Sequence, residues 1–210
     1  VQYMQAAQPG YLDAIFVCDP GIVTNNGAII GQMGKPQRRG EEAALKQELM
    51  RLGIPILGEL VGEATLEGGD VLWLDPETLI IGRSYRTNDE GFAQVRALLQ
   101  DHVKEIRQVD LPHWHGADEI LHLMSLISPL DSDLALVYPP LLPVPLAELL
   151  ATRGIATIPV PDEEFATQGC NALAVAPRHV IIAKGNPVTA ARLREHHVEV
   201  WEYEGNEISL

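Results

Sequence analysis

Four times along the chain, two short apolar runs flank a tight polar turn, and an amphipathic stretch and a third apolar run follow. The first copy reads as a strand at Ile15–Val17, a turn at Thr24–Gly27 and a strand at Ala28–Ile30. A helix at Glu41–Leu52 and a strand at Ile54–Leu57 complete it. The second runs from Asp70–Leu74 through the turn Asp75–Glu77 to Thr78–Ile81, then a helix at Glu90–Leu99 and a strand at Ile106–Val109. The third has His122–Ser128, a turn at Leu130–Asp133, Leu134–Tyr138, a helix at Pro145–Ala151 and a strand at Ala156–Val160. The fourth has Asn171–Val175, a turn at Pro177-Arg178 and His179–Lys184. A helix entered at Pro187 and a strand at Val198–Trp201 close it.

The turns carry Asn-Gly, Asp-Pro or Asp/Ser pairs, the residues that short strand connections need. Ala44, Leu45, Leu49 and Leu52, and then Val95, Leu98 and Leu99, recur at helical spacing. Ile30, Ile81, Val137 and Ile182 hold equivalent places, roughly fifty residues apart, a period typical of repeat architectures. One outer helix and a small mixed sheet per unit predict an α/β propeller, with the units closed around an axis. A fifth unit would be shared between the two ends, and Val1–Gly10 and Glu204–Leu210 are too short to form it whole. The chain therefore reads as one propeller domain over residues 1–210 that lacks parts of its fifth blade at both ends.

The 46% hydrophobic content supports a sizeable core, and with only 5% aromatic residues that core is aliphatic. A net charge of −14 argues against nucleic acid and anionic membranes, which need a basic face. It suits a cationic small substrate. Two cysteines make no disulfide framework, there is no apolar run of membrane-spanning length, and no signal peptide is expected. The expected compartment is the cytoplasm.

Polar residues stand where the inner strands end: Asp13 and Asp19 around Ile15–Val17, Glu67 before Gly68-Gly69, His122 at the third unit and Asn171 at the fourth. Each alone is explained as a cap on backbone groups. Together, at one phase of the repeat, they suit a planar cationic group. Arg38-Arg39 and the pair Arg83 and Arg86 could bind a carboxylate or phosphate, or lie solvated at element ends. Cys18 and Cys170 have no base at useful spacing and read as small buried apolar groups. His113/His115 and His196-His197 match no metal-binding spacing, so no metal is expected.

FVCDP at Phe16–Pro20, GKPQRRGEE at Gly34–Glu42, LEGGDVL at Leu66–Leu72, IGRSYRTN at Ile81–Asn88 and LHLMS at Leu121–Ser125 occur in that order. Over nearly the whole chain they resemble the dimethylarginine dimethylaminohydrolases. These belong to the guanidino-group-modifying superfamily, with arginine deiminases and amidinotransferases. The resemblance implies the five-bladed α/β propeller called the pentein fold. It implies Glu67 as the acidic catalytic residue and His122 as general acid and base. Asp19, with Asp13 nearby on the same strand, would hold the guanidinium, and Arg38 and Arg86 the carboxylate end of the substrate.

The resemblance also implies a nucleophilic cysteine beyond Leu210, so that residues 1–210 alone would be inactive. It implies no cofactor and a small guanidino substrate. The oligomeric state is not readable from the residues, and a homodimer is an admissible assembly. Two positions depart from the pattern. Cys18 stands where the dimethylarginine enzymes often carry Glu, and Met124 where arginine deiminases carry Asp. The second departure points away from arginine deiminase. Amidino transfer, or ligand binding without catalysis, are the competing readings.

Overall fold

The computed structural model describes Gly10 and residues 12–117 and 121–205. The chain divides into two compact units, Val1–Asp110 and Leu111–Leu210. Four three-stranded sheets occur among the described residues, two in each unit. Of the terminal segments expected to border a fifth unit, only Gly10, Glu204 and Gly205 are described.

In the first unit, β1 (Gly21–Thr24) and β2 (Gly27–Ile30) form a hairpin. α1 (Glu41–Arg51) then returns the chain to β3 (Ile56–Glu59), which pairs parallel with β2. The plan repeats in β4 (Val71–Asp75), β5 (Thr78–Arg83), α2 (Asp89–Leu99) and β6 (Glu105–Asp110). A tight turn serves the antiparallel pair, whereas the parallel third strand needs a long crossover, which the helix supplies. Acidic Glu41 and Glu42 occupy the first turn of α1, and Arg51 its last, each favoured by the helix dipole. Asn88 caps α2 by accepting from Gly91 N at 2.8 Å. The same side chain binds Thr65 N and Glu63 O, tying down the segment that approaches Glu67. Ile22 and Ile29 of the first sheet pack with Leu79 and Ile81 of the second and with Val95 and Leu99 of α2.

The second unit holds β7 (Ile127–Asp131), β8 (Leu134–Val137), α3 (Val144–Thr152) and β9 (Ala156–Pro159). The short α4 (Asp162–Phe165) leads to β10 (Leu173–Ala176), β11 (His179–Ala183), α5 (Pro187–Glu195) and β12 (Glu199–Tyr203). Both sheets have the hairpin-plus-parallel-strand order. Leu134, Leu136 and Ile158 of one meet Val180 and Ile182 of the other, with Ala190 and Leu193 of α5. Glu164 holds the start of α5 by accepting from Val188 N and Thr189 N at 2.7 and 2.8 Å.

Two strand expectations are corrected. Ile15–Val17 is no strand: Leu12–Ile15 is a 3-10 turn, and the chain folds back through Phe16 N to Asp13 O and Asp19 N to Phe16 O. Those three apolar side chains are more than two-fifths exposed, so no burial rewards an extended course. The first strand begins only at Gly21. Likewise His122–Ser128 opens with the 3-10 turn Leu123–Ser125, and β7 starts at Ile127. Among the described residues, no helix is long and apolar enough to cross a membrane.

Candidate active site

The site begins with two glycines. Gly68 and Gly69 form a 3-10 turn with Asp70, entered from Glu67 and leading into β4. The segment carrying Cys18 and Asp19 lies directly on this turn: a Cβ added to Gly68 would stand 2.0 Å from the Cys18 carbonyl oxygen. Only glycine permits that approach. The contact is sealed by hydrogen bonds, Gly68 N to Asp19 O at 2.8 Å and Gly69 N to Asp19 Oδ1 at 3.1 Å. Asp19 and Glu67, 6% and 2% exposed, are thus buried carboxylates fixed to one turn.

Arg38 completes the hold on Asp19. Its Nη1 donates to Asp19 Oδ2 at 2.5 Å, and its Nε and Nη2 donate to Glu41 at 2.7–3.2 Å. Nη2 also reaches the carbonyls of Asp13 and Phe16. Burial works against this charge, but hydrogen bonds to Glu41 and Asp19 outweigh it and hold the guanidinium pKa above its ordinary value. A buried cation between two carboxylates is stable only when paired in this way.

Glu67 is positioned at both ends. Its backbone N donates to Thr87 Oγ1 at 3.2 Å, and its Oε1 accepts from Lys35 N at 2.9 Å. Lys35 sends its ammonium to Asp13 Oδ2 at 2.6 Å. That hydrogen bond, assisted by the positive fields of Lys35, Arg38 and Arg86, keeps the Asp13 carboxyl below the usual carboxylate range. Arg86 is 8% exposed, and its Nε has no hydrogen-bond partner. An unpaired buried donor costs free energy unless something else satisfies it.

Five of the six expected site residues, Asp13, Asp19, Arg38, Glu67 and Arg86, therefore lie in the first unit, joined by short contacts or by charge. Asp13 and Asp19 do not share a strand; they sit on a 3-10 turn and the loop after it. His122 belongs to the second unit, half-buried at the entry to the 3-10 turn before β7. Glu67 holds the same place before β4, so the two side chains are matched steps of one repeat. Asn171, in the lead-in to β10, is exposed.

Both cysteine thiols are held above their ordinary pKa. The Cys170 thiol is buried, which pushes its pKa up to about 12. Cys18 departs from the expected buried group, because the residue is exposed. Its sulfur nonetheless turns toward Asp19 Oδ1 at 3.5 Å, and desolvation, then the adjacent carboxylate, raise its pKa to about 12 as well.

Sequence reading missed Glu41, Lys35, Ser84 and Thr87. Glu41 stands three residues after Arg38, the spacing of helical ion pairs, and was open to discovery on that ground. The others act through contacts between segments distant in sequence.

A family model described as arginine deiminase matches residues 12–156. The uncharacterized protein YkgA of Bacillus subtilis is 29% identical over 199 residues, covering 95% of this chain and 66% of that protein. The N(G),N(G)-dimethylarginine dimethylaminohydrolase of Streptomyces coelicolor is 32% identical over 184 residues, covering 87% of this chain and 64% of that enzyme. The chain thus spans just under two thirds of the length of these curated relatives. Among solved structures, DDAH from Pseudomonas aeruginosa, a cysteine-to-serine mutant complexed with citrulline, superposes with a TM-score of 0.79 at 26% identity. That match covers 95% of this chain and 72% of the other.

Proposed function

Because the chain belongs to the arginine deiminase family, within the guanidino-group-modifying superfamily, we propose that the protein containing it hydrolyses a methylated arginine to citrulline and an alkylamine. Hydrolysis of a guanidino group is the coarse reading that the relatives support. The observation that carries it is the pair of buried carboxylates, Asp19 and Glu67, locked to the Gly68-Gly69 turn. A guanidinium is flat and cationic, and two fixed carboxylates orient it by charge-assisted hydrogen bonds.

In this scheme a cysteine thiolate attacks the central guanidinium carbon. The carbon–nitrogen bond to the alkylated nitrogen breaks, and His122 delivers a proton to the departing amine. Water then adds to the thiouronium, losing a proton to His122, and the carbon–sulfur bond breaks to release citrulline and the thiolate. Glu67 holds the guanidinium nitrogens beside the reacting carbon, and Asp19 and Asp13 orient its outer edge. Arg86, through its unpartnered Nε, and Arg38, while still holding Asp19, draw in the carboxylate end of the substrate.

The nucleophile is assigned outside residues 1–210, because both thiols within them are held at about 12. Turnover is accordingly proposed for the longer protein and not for this segment alone. The four sheets are read as blades of a five-bladed α/β propeller forming a single domain. Thiolate chemistry of this kind needs no metal or cofactor, and the proposed setting is cytoplasmic. Met124, where arginine deiminases carry Asp, favours an alkylated substrate over arginine itself.

The test is citrulline formation by the full-length protein from dimethylarginine, with arginine alongside. Release of dimethylamine with citrulline supports the proposal. No turnover of any arginine derivative by folded protein that carries its C-terminal cysteine rejects it.

A further inference from the structure

Two turns carry two of the residues assigned above, Glu67 and Arg86, and one hydroxyl joins them. Ser84 Oγ donates to Asp70 Oδ2 at 2.6 Å and accepts from Arg86 N at 2.9 Å and Thr87 N at 3.2 Å. One donor and two lone pairs are thereby fully used. Asp70, with no exposed surface, closes the Glu67–Asp70 turn by donating its N to Glu67 O at 3.0 Å. Ser84 closes its own turn by donating its N to Thr87 O at 3.0 Å. A second stitch runs the other way, from Glu67 N to Thr87 Oγ1. Opposite the Ser84 turn, Gly34 presses on the Arg86 backbone so closely that an added Cβ would stand 2.4 Å from Arg86 O.

We infer that Ser84, anchored by Asp70, is a positioning residue that fixes the Arg86 backbone so that its guanidinium meets the substrate's α-carboxylate. The inference rests on the guanidino-hydrolase reading. The hydrogen bond to Asp70 is charge-assisted, and such bonds are about twice as strong as neutral ones. It pins the hydroxyl, and the hydroxyl sets where residue 86 leaves the turn. Nothing in the sequence motif singles out Ser84 for this task, since its partner lies fourteen residues away on another turn.

The experiment uses the full-length enzyme with two substrates, dimethylarginine and its decarboxylated counterpart, dimethylagmatine. In Ser84→Ala, KM for dimethylarginine should rise about tenfold, with kcat within about threefold of wild type. KM for dimethylagmatine should not change, because Arg86 has nothing to grip there. Ser84→Thr, which keeps the hydroxyl, should restore most of the lost affinity. Asp70→Asn keeps an acceptor without its charge, and should raise KM for dimethylarginine alone by a few-fold. This variant serves the same test if Ser84→Ala does not fold. An unchanged KM for dimethylarginine in both variants overturns the inference, as does an equal penalty on both substrates. Failure of the wild-type enzyme to turn over either substrate rejects the hydrolase reading and this inference with it. Wild-type turnover with unshifted variants rejects this inference alone.

Discussion

Arg38 Nη1 stands 2.5 Å from Asp19 Oδ2 while the other edge of the same guanidinium is held by Glu41. One cation therefore pairs with two buried carboxylates, one of them assigned to the substrate. Arg38→Ala would leave both without this cation, at a cost of about 3–5 kcal/mol. Arg38→Lys keeps the charge but lacks the fork that serves two partners, and should fall between wild type and the alanine variant. Urea unfolding of the three proteins checks this. Superimposable curves would mean that Asp19 and Glu41 do not depend on Arg38.

Gly68→Ala should destabilise the protein by about 1–3 kcal/mol, through collision of the new methyl group with the Cys18 carbonyl. Because the same contact seats Asp19, guanidino-ligand affinity should fall together with the melting temperature. Retention of both would show that the Cys18–Asp19 segment is free to move off the turn.

Asp13 supplies a pH signature. Its folded pKa lies below the ordinary 3.8, chiefly through the Lys35 hydrogen bond, so ionised Asp13 favours the folded state. That contribution is fully present above 3.8 and disappears as pH falls through the lowered folded value. Asp13→Asn should therefore be less stable than wild type near neutrality, and the gap should close in acid. The ion pair is partly exposed, so the neutral-pH difference should be small and should shrink with added salt. A gap independent of pH would assign the effect to something other than ionisation.

Thiol reactivity offers a direct check on the nucleophile assignment. With both thiols near 12, iodoacetamide should label Cys18 and Cys170 slowly at pH 8, Cys170 the slower because it is buried. In the full-length protein a further cysteine should react first. Rapid labelling of Cys18 at neutral pH would instead make it the candidate nucleophile.

His122→Ala in the full-length enzyme should lower kcat by about 10²–10⁴-fold, the usual worth of positioned proton transfer. A variant with wild-type kcat would remove His122 from the chemistry.

Much of this was legible from the residue pattern. The hairpins at Asn25-Asn26 and Asp75–Glu77 were visible, and so were the helices, expected at Glu41–Leu52 and Glu90–Leu99 and observed at Glu41–Arg51 and Asp89–Leu99, because turn chemistry and helical spacing are local signals. Ile15–Val17 was misread because three adjacent apolar residues look alike in a strand and on an exposed bend. Glu67, Asp19 and Arg38 were singled out through the motifs around them, yet the Arg38 partnership with Asp19 was not foreseen. Nor was the Ser84 junction. Both join segments that meet only after folding, and neither leaves a periodic trace in the chain.

Glu67 and His122 each occupy the step that delivers the chain into the first strand of its own sheet, ahead of the paired residues and outside the strand ladder. A scaffold built this way separates reactivity from register. Under the proposed roles of Glu67 and His122, an exchange of the functional group at either doorway should alter turnover while the ladders behind it keep their alignment.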